Sequence, residues 1–478
     1  MLTDNEYFNT KEFKKILYEY ENKVKSGQPI YMDVDDLTDI ADYYHLNFDN
    51  QKAEDAIGLA LEIQPGATLP LVYKARQALE NENSAKAEHF LNQIEDKEDP
   101  DYQYLKAEIM IAKDKINEAN NYLLQCYSDL TSEDEQNDFT IDVSNLYADY
   151  QVSDRLQEWL LKYKGEITDD IKELQGRDCF LNQQYEKSEK IFNELVESKP
   201  YNKQYWSSLA SAQYLADKFS DCITSSEFAL AIDPNNKDAL QLKGNSLQRL
   251  GNYEGALACY SSYCAICPMD SFILLQMAVC QNELHKPEEA IKTLETAYEF
   301  GASDEDYRAQ VLEEMTFVYL DMKNFDKALE CIRQTKELEC DHINMMVIEG
   351  HILNAAKRNK EAEKIFLDAL AQSKDPAHTM LRIIISIYDN GDITLCYNLL
   401  HLFFKEVSDS FTDGYAYMAL CCFELEKRTE CLNYLHDAIE LNPNEVKLVF
   451  SKTIPPEIPL SGYYKYIENK FNQKSIEP

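Results

Sequence analysis

The stretch YSSYCAICPMD (260–270) holds Cys264 and Cys267 with two residues between them, followed by Cys280 and His285. The pattern C-x2-C-x12-C-x4-H is close to the ligand spacing of a small zinc site, where thiolates and an imidazole converge on one metal ion. A Cys-x-x-Cys pair also suits thiol–disulfide exchange, provided that its first thiol sits at a helix N-terminus, where the dipole lowers its pKa. Other reactive motifs are missing: there is no phosphate loop, no G-x-S-x-G and no H-E-x-x-H, and the eight histidines are dispersed. What these cysteines do depends on the elements that carry them.

Composition narrows the classes. Against 85 Asp and Glu stand 47 Lys and Arg, a formal charge of −38. A face for phosphates must be basic, so nucleic acid is excluded as a partner, and the 32 Tyr and 20 Phe read as packing residues rather than base-stacking platforms. A basic protein partner suits this charge. The first residues, MLTDNEYFNTKEFKK, contain no apolar leader, and the longest apolar runs, such as FILLQMAVC (272–280), are half of what a bilayer span needs. The thirteen cysteines are odd in number and scattered, as in reduced thiols, so the expected location is the cytoplasm, without membrane insertion. With only 13 Gly and 14 Pro, the composition favours helices.

A 34-residue register organises the rest. In 239–268, Gly244 is followed by Ala256, Tyr260 and Pro268. The same places are taken by Gly176, Ser188, Phe192 and Pro200, and by Ala210, Cys222, Ser226 and Pro234. Further units run through Ala41 and Ala53, Ala75 and Ala87, Ala107 and Ala119, Ala278 and Ala290, Thr316 and Ala328, Gly350 and Ala362, and Ala419 and Cys431. Two units are weaker, through Ser144 and Leu156 and through Ile384 and Cys396. The total is about twelve units over 34–445. Each reads as a helix–turn–helix: small residues let two antiparallel helices approach, bulky ones fill the gaps, and a proline ends the second helix. Tight turns are expected at DKF (217–219), GNY (251–253) and KNF (323–325). The period lengthens around TSEDEQND (131–138) and GASDEDYR (301–308), which suggests longer acidic loops or bends.

With Trp206, Leu209, Ala210, Ala229 and Pro234 in place, 205–234 resembles the tetratricopeptide repeat (TPR) family, and so does the register over 34–445. Cys222 and Cys431 depart from the family pattern at small-residue positions. The resemblance implies an all-α, right-handed solenoid superhelix with a helical cap at each end, no enzymatic activity and no cofactor. It implies a scaffold or adaptor that binds a peptide or protein segment in a groove lined by the first helix of each unit. By register, an acidic stretch of groove comprises Asp35, Asp42, Glu80, Asp101, Glu108, Asp138, Asp149, Asp170 and Glu173. A polar stretch comprises Gln204, Ser207, Ser211, Tyr214, Gln241, Asn245, Gln248, Arg249 and Asn282, whose amides can hydrogen-bond a peptide backbone. The carboxylate clamp of chaperone-binding family members is matched by Asn245 alone. Gln241, Gln276, Gln310 and Glu314 supply none of its lysines or its arginine, which disfavours that function.

The repeat frame also weighs against the zinc pattern. Cys264 and Cys267 fall in the last turn of one helix, where the dipole raises a thiol pKa, while Cys280 lies ~13 Å and His285 roughly 20 Å along the next. The duller reading is that cysteine serves as a small buried residue. The ends differ from the repeats. Residues 1–33 form an N-terminal cap with an amphipathic helix at 4–25. Residues 446–478 form a proline-broken tail, with five Lys against three Glu and a possible short helix around Tyr463–Phe471. This relatively basic tail offers an alternative function, a switch in which it covers its own acidic groove. A metal or thiol-redox protein built on Cys264 and Cys267 is the remaining alternative.

Overall fold

Small residues repeat in a fixed phase, and the helices pair around them. The computed structural model describes residues 7–474 except 48, 302–303, 339–340, 409–410 and 456–457. Among these, the chain forms 27 α-helices, 24 of them in twelve successive antiparallel pairs. The first pair is Val34–Leu46 with Asn50–Ile63, and the twelfth is Tyr415–Glu424 with Arg428–Leu441. The two weaker units also pair, as Glu133–Asp149 with Ser153–Leu160 and Pro376–Asp389 with Ile393–Glu406. The pairs divide between two compact units, Met1–Pro234 and Asn235–Pro478, with six pairs in each. No described helix is long and apolar enough to cross a membrane.

Position by position, the register marks the core. Ala53, Ala87, Ala119, Leu156, Ser188, Cys222, Ala256, Ala290, Ala328, Ala362, Cys396 and Cys431 are all buried, so the cysteines there act as small packing residues. Volume is balanced across each pair. Gly176, Gly244 and Gly350 face Phe192, Tyr260 and Phe366, and an added Cβ would come within 2.8, 2.6 and 2.2 Å of those rings. Where the first residue is alanine, as in Ala41 and Ala75, the partner shrinks to Ile57 or Leu91. A ring therefore takes the space that the missing methyl leaves.

Among the described residues, the turn within eleven of the twelve pairs is a repeated device. Glu82, Asp114, Gln151, Gln183, Asp217, His285, Lys323, Lys357 and Glu426 all have φ between 55° and 61°, and Gly251 and Gly391 take the same place at 76° and 87°. The next backbone N–H reaches back five residues, as in Lys218 to Gln213 O (2.9 Å) and Lys286 to Gln281 O (2.9 Å). This satisfies a carbonyl that the helix end leaves open. Between pairs, second helices end at Ile63, Ser198, Ile232, Ile266 and Leu441, each two residues before a proline.

Among the described residues the lengthened periods are mostly helical; the loop or bend expected at 301–308 lies in part on residues 302–303, outside the described residues. Their extra residues extend the first helices Glu133–Asp149 and Glu305–Asp321 to 17 residues each. Ser132 and Glu135 close a capping box on one, Asp304 caps the other, and the first-turn carboxylates favour the positive helix end.

The ends cover the outer pairs. The N-terminal helix is Lys11–Ser26, not 4–25: Thr10 accepts from Phe13 N at 3.2 Å and fixes its start, while residues 4–6 lie outside the described residues. Phe13 and Tyr20 pack with Leu37, Ile40 and Tyr44. At the other end, the tail forms Pro443–Val449 and Leu460–Lys474. Phe450, Ile454, Tyr463, Ile467 and Phe471 are buried with Leu432 and Leu435 of the twelfth pair. Glu445 accepts from the N–H groups of Gly414 (2.7 Å) and Ala416 (3.2 Å), capping Tyr415–Glu424. The described tail thus packs Phe450, Ile454, Tyr463, Ile467 and Phe471 on the end of its own unit, while Leu448 and Tyr464 stay exposed.

Candidate functional site

Helix pairing sets what each first helix shows to the next. In the first unit, contacts between successive first helices are made largely by carboxylates. Glu108 on Pro100–Ala112 takes Arg76 Nε at 3.2 Å and the Tyr150 hydroxyl at 3.4 Å. The Tyr104 hydroxyl donates to Asp142 at 2.9 Å, and Arg177 Nη2 donates to Asp149 at 2.5 Å. Glu173 on Asp169–Leu181 accepts from Tyr205, one pair further on. These carboxylates differ in their partners. Glu108 and Asp149 meet arginines, Asp142 is held by a neutral phenol, and Glu173 has both a phenol and the nearby charges of Arg177 and Lys199.

Electrostatics join several of these groups. Burial raises the pKa of Asp101, and Asp99, Asp142 and Asp35 add to the effect while Arg76 opposes it. Asp142 is raised by burial and by Asp138, against the Tyr104 hydrogen bond; its side chain reaches solvent, yet the neighbouring helices exclude much of its water. Glu173 is raised by burial and Asp170, against Arg177. Asp35, Asp101, Asp138 and Asp142 therefore form one anionic stretch. Part of it has a local cause: Asp35, Asp101 and Asp170 stand in first turns, where carboxylates complement the helix dipole. Asp138 and Asp142 lie deeper in their helix, where the dipole no longer accounts for them. Burial raises the pKa of Tyr73, together with Glu54, Asp42 and Glu80, which surround it.

The nine polar residues fall into two groups. Gln204, Ser207, Ser211 and Tyr214 lie in the first unit, and Gln241, Asn245, Gln248, Arg249 and Asn282 in the second. Several are already engaged. Ser211 donates to Ser207 O at 3.0 Å, Tyr214 meets Phe219 edge-on, and Asn282 donates to Asp321 at 2.9 Å. The Tyr260 hydroxyl lies 2.7 Å from Asn245 Oδ1 and 2.8 Å from Gln248 Oε1, so those amide oxygens serve the pair's own aromatic. Gln204 and Arg249 are exposed. Residue-by-residue reading missed Tyr104, Asp142, Arg76, Arg177 and Tyr205. A signal for them exists in the register, since each is a tyrosine, arginine or carboxylate about one repeat from its partner on the same face.

The cysteine pattern disperses. Cys264 closes the helix Tyr253–Ile266 with its Sγ 3.6 Å from Met277 Sδ, and Cys267 is the residue after that helix. Cys280 is buried within Ser271–Glu283, and burial pushes its thiol pKa up to about 12. His285 is the left-handed turn residue of the eighth pair. Among the described residues, no three His, Cys, Asp or Glu side chains come together as metal ligands.

What repeats along both units is one construction: helix pairs with small residues in register, a left-handed turn inside eleven of them among the described residues, and a polar first-helix face. The chain is a TPR-like repeat protein. No family model matches it. A curated relative, the transcription factor tau 131 kDa subunit of Saccharomyces cerevisiae, is 20% identical over 265 residues, which is 52% of this chain and 25% of the relative. The chain thus spans about a quarter of that relative's length. Among solved structures, the APC/C hetero-tetramer Cut9–Hcn1 is similar at 13% identity and a TM-score of 0.33, with 95% of each chain covered. MamA from Desulfovibrio magneticus RS-1 is 16% identical with a TM-score of 0.34, covering 36% of this TPR-like chain and 94% of its own. PilF of Pseudomonas aeruginosa is 14% identical with a TM-score of 0.35, covering 44% and 95%.

Proposed function

We propose that this TPR-like array is a non-enzymatic scaffold that binds a basic segment of another protein along the first-helix face of its first unit. One observation carries the reading. Asp138 and Asp142 stand close to Asp101 and Asp35, with a phenol rather than a cation as the hydrogen-bonding partner of Asp142. Such a stretch gains from a lysine or arginine that relieves the mutual repulsion. The twelve described cysteines that are free thiols support a reducing compartment such as the cytoplasm. Binding of a fluorescein-labelled lysine-rich peptide tests the reading by anisotropy. Affinity should fall steeply between about 0.1 M and 1 M salt, as the Debye length shrinks from ~10 Å to ~3 Å. An affinity indifferent to salt would sink it.

A second reading is favoured by the similarity to the tau 131 kDa subunit: a structural subunit of a larger assembly. Native-mass measurement separates the two, since a subunit is recovered in one stoichiometric complex that survives high salt.

A further inference from the structure

The junction between the eleventh and twelfth pairs holds two sulfur atoms in contact. Cys396 sits on the second helix of the eleventh pair, Ile393–Glu406, and Cys421 on the first helix of the twelfth, Tyr415–Glu424. The Cys421 thiol donates to Cys396 Sγ at 3.5 Å, and both side chains are fully buried. Cys396 takes the small-residue place of its pair, and Cys421 stands two residues beyond Ala419, the small residue of the next first helix. The same two places recur along the chain, as Cys222 with Ser246 and as Ala256 with Cys280. In the register, both are cysteine only at this junction.

Two features suit these thiols to a covalent bond. A disulfide holds its sulfurs about 2.05 Å apart, so ~1.5 Å separates contact from bond, within reach of small side-chain rotations. The other feature is the place at the end of the unit. The twelfth pair packs on the eleventh and is covered by the tail helices Pro443–Val449 and Leu460–Lys474. Terminal elements of a repeat array open more readily than central ones. In the closed fold the pair is unreactive: the hydrogen bond to Cys396 and burial hold the Cys421 thiol well above its usual pKa, so no thiolate is offered there. Reaction belongs to the opened pair.

We propose that Cys396 and Cys421 are a reversible redox pair, which a small-molecule disulfide such as glutathione disulfide converts into a crosslink that locks the twelfth pair to the eleventh. When the twelfth pair opens, the thiolate of one cysteine attacks the glutathione disulfide. Its S–S bond breaks: one glutathione leaves as a thiolate and takes up a proton, and the other stays on the protein sulfur as a mixed disulfide. Reclosing brings the second cysteine against that sulfur, in a close-packed core with no room for glutathione. The second thiolate displaces it and forms the protein S–S bond. Two protein thiols are oxidised, and one glutathione disulfide is reduced to two thiols that carry the two protons. In a reducing compartment the pair stays as two thiols, and it closes under oxidative load.

The test uses the full chain, folded and incubated with glutathione disulfide, then quenched, denatured and alkylated. Two of its thirteen cysteines should escape alkylation, and a peptide map should place the crosslink between Cys396 and Cys421. The crosslinked chain should melt roughly 5 °C higher, and dithiothreitol should return both readouts to their starting values. Cys421→Ala should abolish the crosslink and the oxidant-dependent rise in the midpoint, whereas Cys280→Ala, at the corresponding place of another junction, should leave both. If Cys421→Ala does not fold, the map of the unsubstituted chain still decides. Full alkylation, glutathione adducts without a crosslink, or a crosslink between other cysteines overturns the proposal. A Cys396–Cys421 bond that leaves the midpoint unchanged overturns the lock.

Discussion

The two units share one backbone plan and differ in what their first helices say to each other. In the first unit those contacts run through carboxylates: Arg76 to Glu108, Tyr104 to Asp142, Arg177 to Asp149. In the second, carboxylates share the role with amides, a hydroxyl and an imidazole, and the Tyr388 hydroxyl donates to Glu424 at 2.5 Å. Asn282 donates to Asp321, Arg382 to Asn344, and His351 meets Ser386 at 3.1 Å and Asn390 at 2.9 Å. Burial lowers the pKa of His351, so that cluster tends to neutrality. The pairing of helices depends on the small-residue register and tolerates either chemistry. The exposed face is therefore free to be set by a partner, and the carboxylates of the first unit are where that freedom was used.

The largest expected effects probe what the units share. Gly176→Ala and Gly350→Ala push a methyl to within 2.8 Å of Phe192 and 2.2 Å of Phe366. Overpacking costs ~1–3 kcal/mol, more than the ~1 kcal/mol that alanine gains in helix propensity. Denaturant unfolding should show the greater loss for Gly350→Ala, and Phe366→Leu should recover most of it. A silent Gly350→Ala would mean that the ring does not occupy the glycine's space.

Next comes the difference in charge. Replacing Asp138 and Asp142 by lysine should weaken binding of a lysine-rich peptide about tenfold or more, while Gln241→Lys in the second unit should change it by less than about twofold. Equal effects would erase the distinction between the faces.

A smaller effect follows from pH. Burial and Asp138 raise the pKa of Asp142, so its folded state holds a proton that the unfolded state releases first. Stability from this group is present below the ordinary carboxylate value of about 3.9 and is lost as pH rises through the raised value. Asp142→Asn should therefore raise the thermal midpoint at neutral pH and leave it unchanged in acid. Melts that shift equally in both would contradict the assignment.

The smallest effects lie in the turns. Asp217 holds φ 58° in the first unit, where Gly251 holds 76° in the second. Asp217→Gly should stabilise the chain by up to about 1 kcal/mol, and Gly251→Ala should destabilise it by about as much. Chemical denaturation of the two variants checks the sign.

Much of the fold was legible before any coordinates. Gly244, Ala256, Tyr260 and Pro268 mark a first helix, a second helix, its packing ring and its end, and each does that in the structure. The acidic stretch 131–138 misled as a loop because charge without periodicity reads as solvent-facing coil. It is the capping geometry that turns the same residues into an extra helical turn. The candidate site was only partly visible. First-helix register found Asp101, Asp138 and Glu173, but the tyrosines that hold Asp142 and Glu173 come from neighbouring pairs. Asn245 and Gln248 looked available until Tyr260 was seen to engage both.

By itself, the sequence determined the repeat, its count and the small-residue contacts, because these are set within one pair by neighbours about 12 and 16 positions apart. Only the tertiary structure decided which carboxylates meet a phenol and which an arginine. Those outcomes depend on groups from different pairs. Stacking brings such groups together at distances and depths of burial that no local spacing encodes.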